Sequence, residues 1–366
     1  MENATLGLKF ACTSCGAYLK YAPGTTHLTC EYCNTQNEIT GFGEVEELDY
    51  FAFLSDGDSP AGTVSEHFVK CETCNATSSI KPTVTSASCP YCSAPFVLEN
   101  AYNENVIPPN SILPFKLDEK AAKNEFIKWI DKLWYAPNDL KKVVSKLDYF
   151  KGVYIPYWTY DTNTFTQYTG ERGEHYYVTE TYTTTENGKS VTNTRQVQKT
   201  RWYSASGSVM LFFDDLLVTA SKSLPEKYVR NLEPWDMENL VTFNQSYLSG
   251  YTTEKYQINL KEGFDIAKIL AEPNIMSAIR NDIGGDEQRI DTTDTKYSNI
   301  TFKHLLFPLY VSVYKYNGKV YQFLINARTG EVQGQRPYST IKIIFTVLLV
   351  LAIIAAIVYY AKYYQQ

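Results

Sequence analysis

Several things this 366-residue sequence lacks remove whole classes of function. Histidine is scarce. Its four copies, His27, His67, His175 and His304, stand far apart, and none belongs to an H-E-x-x-H metalloprotease helix. No G-x-S-x-G nucleophile turn occurs. Gly188-Lys189-Ser190 has the ending of a phosphate-binding loop, but Thr183 stands where the first glycine is required, so the tripeptide reads as a turn. Positive charge is not in surplus: the net charge is −6, which repels polyanions. Asp214-Asp215 are adjacent carboxylates, which on a regular strand point to opposite faces, and they read as a structural turn or cap. Trp158 and Trp202 read as core anchors. No enzyme and no small-molecule substrate are expected.

Cysteine is absent beyond residue 92, and before it the spacing is regular. Cys12 and Cys15 form a C-x2-C pair, followed after fourteen residues by Cys30 and Cys33; Cys71 and Cys74 are followed after fourteen by Cys89 and Cys92. Each cysteine of the second set lies 59 positions after its counterpart in the first, which marks an internal duplication with no cysteine left over. A C-x2-C turn aims two thiolates at one ion, and two such turns supply the four sulfurs of a closed tetrahedral zinc site. The expectation is two structural Zn²⁺ ions, held by Cys12, Cys15, Cys30 and Cys33 and by Cys71, Cys74, Cys89 and Cys92. Modules of about thirty residues hold little core of their own, so metal supplies much of their folding free energy, on the order of 10 kcal/mol per site. Loss of one site is then expected to unfold one module and leave the rest of the chain folded.

Disulfides require an oxidising compartment, and no signal peptide is read at the N-terminus. Iron in a rubredoxin-like tetrahedron uses the same ligands, and spacing alone does not separate it from zinc. Cys89-Pro90-Tyr91-Cys92 matches the redox turn of glutaredoxins, but a second pair stands at ribbon distance and Ser93-Ala94-Pro95 follows in place of a long helix. The first module sets Lys9 and Lys20 against Glu31, Glu38 and Glu44, and the second sets Lys70 and Lys81 against Glu66, Glu72 and Glu99. Neither can neutralise a row of phosphates, so protein recognition is favoured, with nucleic-acid binding in replication as the alternative.

From Ile343 to Ala361 the chain runs nineteen residues without a charge. As a helix this spans roughly 28 Å, the thickness of a bilayer's hydrocarbon core. Lys342 and Lys362 bracket it, and Tyr338, Tyr359, Tyr360, Tyr363 and Tyr364 suit the two interfaces. A buried core helix is the rival, but core helices seldom run so long without a polar face. Arg328, Arg336 and Lys342 precede the segment against Lys362 after it, which predicts a single-pass cell-membrane protein with its N-terminal part in the cytoplasm.

The expected division is 1–45 first zinc ribbon, 46–65 linker, 66–100 second ribbon, 101–337 an α+β domain with mostly antiparallel strands, and 338–366 a transmembrane anchor. Within the domain Asp118 is expected to cap a helix to about Trp134, with Ala122, Phe126, Ile130 and Leu133 on one face, and Pro137 to open a second helix ending near Leu147. Thirty tyrosines, many alternating with Thr or Val, predict strands. Tyr176–Thr185 and Ser190–Trp202 should form a hairpin around Glu186-Asn187-Gly188-Lys189. Helices are expected over Pro234–Leu248 and Lys261–Ile283, the second broken or kinked at Pro273. Strands follow at Ile300–Phe307, Leu309–Tyr316, Lys319–Asn326 and Glu331–Gly334.

Several segments together resemble a bacterial family of zinc-ribbon membrane proteins often labelled primosomal protein N′ helicase, phage replisome organiser or TFIIB-type zinc ribbon-containing protein. They are Cys89-Pro90-Tyr91-Cys92-Ser93-Ala94-Pro95-Phe96, Gly152-Val153-Tyr154-Ile155-Pro156-Tyr157-Trp158, Phe213-Asp214-Asp215, Tyr247-Leu248-Ser249-Gly250-Tyr251 with Glu254 and Tyr256, and Thr301-Phe302-Lys303-His304 with Leu305-Leu306-Phe307-Pro308. The helicase label does not suit a chain without an ATP-binding loop. The resemblance implies an adaptor or scaffold at the bilayer for membrane-stress or flotillin-like partner proteins.

Overall fold

Three long antiparallel strands organise the chain: β10 (Lys151–Glu186), β11 (Lys189–Thr219) and β14 (Glu287–Tyr316). The computed structural model describes residues 10–39, 43, 45–54, 62–80, 87–140, 142, 150–186 and 189–364. β10 pairs β11 from Tyr157↔Thr219 outward to Glu186↔Lys189, and pairs β14 from Lys151↔Val311 to Gly173↔Glu287. Past Gly173 only β10 and β11 continue, as a two-stranded ribbon that rises roughly 40 Å at about 3.3 Å per residue. β15 (Lys319–Asn326) and β16 (Val332–Gly334) extend the sheet beyond β14.

Helix α3 (Leu260–Ile283) lies across this blade. Asn259 and Glu262 form a capping box at its start, and Phe264, Ala267, Ala271, Ile275, Ile279 and Ile283 are buried against the sheet. The close approach fixes Gly263: a Cβ there would lie 2.3 Å from the Tyr160 hydroxyl. Helix α1 (Glu119–Lys132) is capped by Asp118, whose Oδ1 accepts from the Ala121 amide at 2.7 Å, and buries Ala122, Phe126 and Ile130 as expected.

The first cysteine module is a four-stranded antiparallel sheet, β1 (Phe10–Ala11), β2 (Tyr18–Tyr21), β3 (His27–Cys30) and β4 (Gln36–Glu38), paired in that order. The second pairs β7 (Thr77–Ser79), β6 (Val64–Lys70) and β8 (Tyr102–Val106). The duplication extends to strand register. Ala11↔Tyr18 recurs 59 positions on as Lys70↔Thr77, and Thr29↔Gln36 recurs as Ser88↔Pro95. Neither module stands free. Cys12, Tyr21 and Cys30 share an apolar cluster with Phe115, Tyr154 and Tyr310; Cys71, Cys89 and Tyr91 share one with Val153, Tyr157 and Phe307. Both modules are therefore packed on the domain through apolar side chains.

The architecture is mixed α+β with antiparallel sheets, two four-cysteine clusters and one C-terminal apolar helix. Four expectations are corrected. Pro234–Leu248 is not a helix: it holds short turns and a strand, β12 (Val241–Thr242), paired with β9 (Ser111–Ile112), because its Asp, Asn, Thr and Val residues favour helix poorly. A short helix, α2 (Glu226–Arg230), precedes it instead. Pro273 does not break α3, whose buried stripe continues on both sides of it and holds the helix against the sheet. Ile300–Phe307 and Leu309–Tyr316 are one strand that passes through Pro308 and begins at Glu287. Trp202 is not a core anchor; it sits half-buried on the blade, with the Arg289 guanidinium 3.7 Å above its ring. Trp158 is fully buried and its Nε1 donates to the Ile258 carbonyl at 2.8 Å. The expected hairpin lies inside β10 and β11, with its tip, Asn187-Gly188, outside the described residues. Most of the expected Pro137–Leu147 helix and of the 46–65 linker's turn-rich stretch also lies outside them.

Candidate metal centres

Each C-x2-C turn is followed by a residue in the left-handed region: Gly16 (φ 73°), Asn34 (57°), Asn75 (61°) and Ser93 (62°). That conformation folds the chain back so that the amide of this residue donates to the carbonyl of the first cysteine, at 2.9, 2.9, 2.8 and 3.0 Å. Gly and Asn are the residue types that enter this region most readily, and Ser93 completes the fourfold pattern. The turn leaves both thiols on one side. In each turn the first cysteine (Cys12, Cys30, Cys71, Cys89) is buried, and the second is half-buried or exposed at the rim.

Within each set the four sulfurs lie within 4.8 Å of one another. Cys12 and Cys33 are 3.6 Å apart and Cys15 and Cys30 3.5 Å; Cys71 and Cys92 are 3.6 Å apart and Cys74 and Cys89 3.5 Å. A disulfide needs about 2.0 Å. A tetrahedron with metal–sulfur bonds of about 2.3 Å has edges near 3.8 Å, close to these separations. The amides of Ser14 and Tyr91 point at Cys12 Sγ and Cys89 Sγ at 3.4 Å, as expected around a thiolate. Burial pushes the Cys74 thiol up to about 11 and raises Cys89 too, so a cation is what would bring these sulfurs to the thiolate form. The two predicted ligand sets are brought together, and each is compatible with one structural metal ion.

The second cluster is tied to the domain by polar groups as well. Tyr91, inside the last turn, donates to the buried Glu254 carboxylate at 2.5 Å, and Glu254 also accepts from Ser221 at 3.0 Å and from Ser223. Lys151 donates to Ser88 Oγ and to the Cys89 carbonyl, both at 2.9 Å, and so carries positive charge to the rim of the sulfur cluster.

Sequence reasoning did not find a second group of acids. A bulge sets Asp214 and Asp215 opposite Asp161, with Asp215 at φ 52° and its amide donating to Asp161 Oδ1 at 2.7 Å. The bulge removes the alternation on which the opposite-faces argument rested. Carboxylates of Glu47, Asp161 and Asp214 lie within 4.8 Å of one another. Lys303 Nζ stands among them, 2.8 Å from Asp215, 3.1 Å from Glu47 and 3.8 Å from Asp161. Burial and the Glu47 hydrogen bond push Asp161 up to about 7, and that same hydrogen bond holds Glu47 low, so the pair shares a proton. Lys303 already supplies the positive charge that the acids require, so the group reads as a structural ion-pair network. Phe213-Asp214-Asp215 and Thr301-Phe302-Lys303-His304 were legible as segments, but no signal joined them to Glu47 or Asp161.

The C-terminal helix α4 (Thr340–Tyr364) is long and apolar enough to cross a membrane, and none of its apolar span is buried against the rest of the chain. Its start is nevertheless fixed. The Ser339 amide donates to the Tyr135 carbonyl at 2.7 Å, and Lys342 Nζ donates to the carbonyls of Trp134 and Ala136 at 3.0 and 2.8 Å. Arg328, counted among the cations before the helix, is folded into the domain on Asp236 and the Pro114 carbonyl.

This chain is similar to an uncharacterized protein, YdjG, of Bacillus subtilis (strain 168), with 27% identity over 237 residues. The alignment covers 64% of this chain and 65% of that protein, so the chain spans about two thirds of the relative's length. No family model matches the chain, and no solved structure matches it.

Proposed function

We propose that this protein is a single-pass membrane adaptor: two zinc ribbons and an α+β domain form a docking platform for partner proteins on the cytoplasmic face, fixed to the bilayer by α4. The observation that carries the reading is the exposure of α4. Ile341, Phe345, Leu348, Ile357 and Val358 are each more than half exposed, whereas the apolar faces of α1 and α3 are buried. A helix whose apolar span is exposed on every side, with none of it buried among the described residues, is stable in lipid and not in water.

Other features support parts of it. Sulfur tetrahedra closed by four protein ligands leave no open position for a substrate, which is the pattern of structural zinc. Lys342 on the Trp134 and Ala136 carbonyls brings the exposed Trp134 and Tyr338 to the start of the helix, where interfacial aromatics belong. The projecting ribbon carries Tyr176, Tyr177 and Tyr182 beside Arg195, Lys199 and Arg201, an exposed surface suited to protein contact. Flotillin-like or membrane-stress proteins are the partners the family resemblance implies.

The test is fractionation followed by capture. Full-length protein should stay with membranes after carbonate washing, and a chain lacking residues 341–366 should appear in the soluble fraction. Affinity capture from solubilised membranes should recover partner proteins, and a zinc chelator should release them. A full-length chain in the soluble fraction, or an unchanged partner set after metal removal, would overturn the reading.

A further inference from the structure

The internal duplication makes the two cysteine modules comparable residue by residue, and one pair of counterparts differs sharply. Tyr91 stands between Cys89 and Cys92; 59 positions earlier Tyr32 stands between Cys30 and Cys33. The two turns share their geometry. Asn34 and Ser93, which follow them, adopt nearly the same left-handed φ (57° and 62°), and the sulfurs are spaced alike. Yet Tyr91 is 2% exposed and Tyr32 is 79% exposed. The strand after the first turn repeats the contrast. In β7 both Thr77 and Ser78 are buried, whereas in β2 Leu19 and Tyr21 are buried and their neighbour Tyr18, the counterpart of Thr77, is 61% exposed.

In the second module these positions fasten it to the domain. The Tyr91 hydroxyl donates to the Glu254 carboxylate, and the Lys255 amide donates to the Thr77 carbonyl at 3.0 Å. Adjacent residues of the domain take both contacts, so positions 77 and 91 lie on one side of the module. Tyr18 and Tyr32 occupy the same side of the first module by virtue of the shared fold. The first module rests on the domain through another side: the Tyr21 amide donates to the Ser249 carbonyl at 3.0 Å, and Ser249 Oγ donates to the Leu19 carbonyl at 2.7 Å. Strand alternation turns Tyr18 and Lys20 away from that contact.

We propose that the Tyr18–Tyr32 side of the first module docks a partner protein, which offers Tyr32 what the domain offers Tyr91: a carboxylate recessed among apolar side chains. This rests on the adaptor reading and names the residues and chemistry through which it acts. A tyrosine ring fills an apolar recess while its hydroxyl reaches an acceptor, which is why the residue is enriched at protein interfaces. Lys20 and Glu31 pair at 2.9 Å beside Tyr32 and supply a polar rim. A polyanion does not suit this side, because Glu31 and Glu38 outnumber Lys20 around it.

Photocrosslinking tests it. Full-length protein carrying p-benzoylphenylalanine in place of Tyr32, or separately in place of the exposed Tyr177 on the ribbon, is irradiated in the cells that make it. Position 32 should give a discrete protein adduct whose cross-linked peptide carries an aspartate or glutamate. With that protein purified, Tyr32→Phe should weaken binding about tenfold, because the ring is kept and only the donor is lost. Replacing the partner's acid by alanine should leave Tyr32→Phe with no further effect. Thermal unfolding of Tyr32→Phe should match that of the wild type, since the side chain is exposed. Adducts at 177 and none at 32 would overturn this inference and leave the adaptor reading standing; protein adducts at neither position would count against both. A lipid or nucleic-acid adduct at 32, or undiminished binding by Tyr32→Phe, would also overturn it.

Discussion

Tyr91 and Glu254, 163 positions apart in sequence, meet through a 2.5 Å hydrogen bond with both side chains buried. One belongs to a cysteine turn and the other to the domain, so the geometry of the cysteine cluster and the packing of the domain are joined. Burial pushes Glu254 up to about 7, above its ordinary value of 4.5, despite the donors around it. A group whose folded pKa is raised holds its proton more tightly in the folded chain. Its contribution to stability is full below pH 4.5 and is lost as pH rises through about 7. Wild-type stability should therefore fall by about 1 kcal/mol between pH 6 and 8 on this account, and Glu254→Gln should flatten that part of the profile. Urea unfolding at four pH values measures it; parallel profiles for the two proteins would count against the assignment.

Lys303 is the cation facing Asp161, Glu47 and Asp215, and it is 8% exposed. Removing one member of a buried ion network strands the others. Lys303→Met should destabilise the fold by roughly 3–5 kcal/mol. The loss should be larger at pH 8 than at pH 6, because Asp161, with a folded pKa of about 7, then gives up the proton it shares with Glu47. Lys303→Met, Asp161→Asn together should recover part of the loss. Thermal melts of the single and double variants at both pH values decide this, and no difference between the two pH values would refute it.

How much of this was readable beforehand follows the range of the interactions. Cysteine ligation is written in local spacing, and both ligand sets, down to the left-handed residue after each pair, come from four-residue turns. The amphipathic period of α1 and the apolar run of α4 were legible for the same reason. Asn317-Gly318 forms the β14–β15 turn with both residues at positive φ (47° and 78°), the region that Asn and Gly enter most readily. Long-range pairing was not legible. Residues 287–299 of β14 are mostly charged or hydroxylated and show no apolar alternation; they are strand because β10 supplies a partner for all of them but Asp291 and Asn299, which lie at register shifts. Pro273 was read as a break or kink and the strands were divided at Pro308; the packing of α3 on the sheet keeps that helix continuous, and the pairing of Tyr154 with Pro308 keeps β14 one strand. The acid cluster needed three chain segments to meet at one bulge, which no single stretch of sequence encodes.

Two zinc equivalents should be released per chain by a thiol-modifying reagent with a colorimetric zinc indicator. Cys12→Ser and Cys71→Ser should each release about half. Because Cys71 and Cys89 share a cluster with Val153, Tyr157 and Phe307, loss of the second site should also loosen the domain. A fall in Tm of at least about 10 °C is expected for Cys71→Ser, from a stability loss of several kcal/mol. Iron in place of zinc would appear as visible charge-transfer absorption, and neither metal in the purified protein would remove the basis for two structural sites.

Lys342 joins the first turn of α4 to the carbonyls of Trp134 and Ala136, and these two hydrogen bonds tie the domain to the start of its helix. In a bilayer Lys342 belongs at headgroup level, and Trp134, 71% exposed and held beside it, is then placed at the same depth. Reconstitution into vesicles containing brominated phosphatidylcholine should quench the emission of Trp134, and Trp134→Phe should remove the quenched component. Trp158 and Trp235 are buried and Trp202 lies on the blade, so they should be little affected. Lys342→Met keeps an apolar helix but removes the donor to both carbonyls. That variant should still sediment with vesicles and lose much of the quenching. If wild-type protein sediments with vesicles and Trp134 stays unquenched, the helix is an anchor on a loose tether and the domain does not rest on the membrane. If it fails to sediment at all, the helix has another partner.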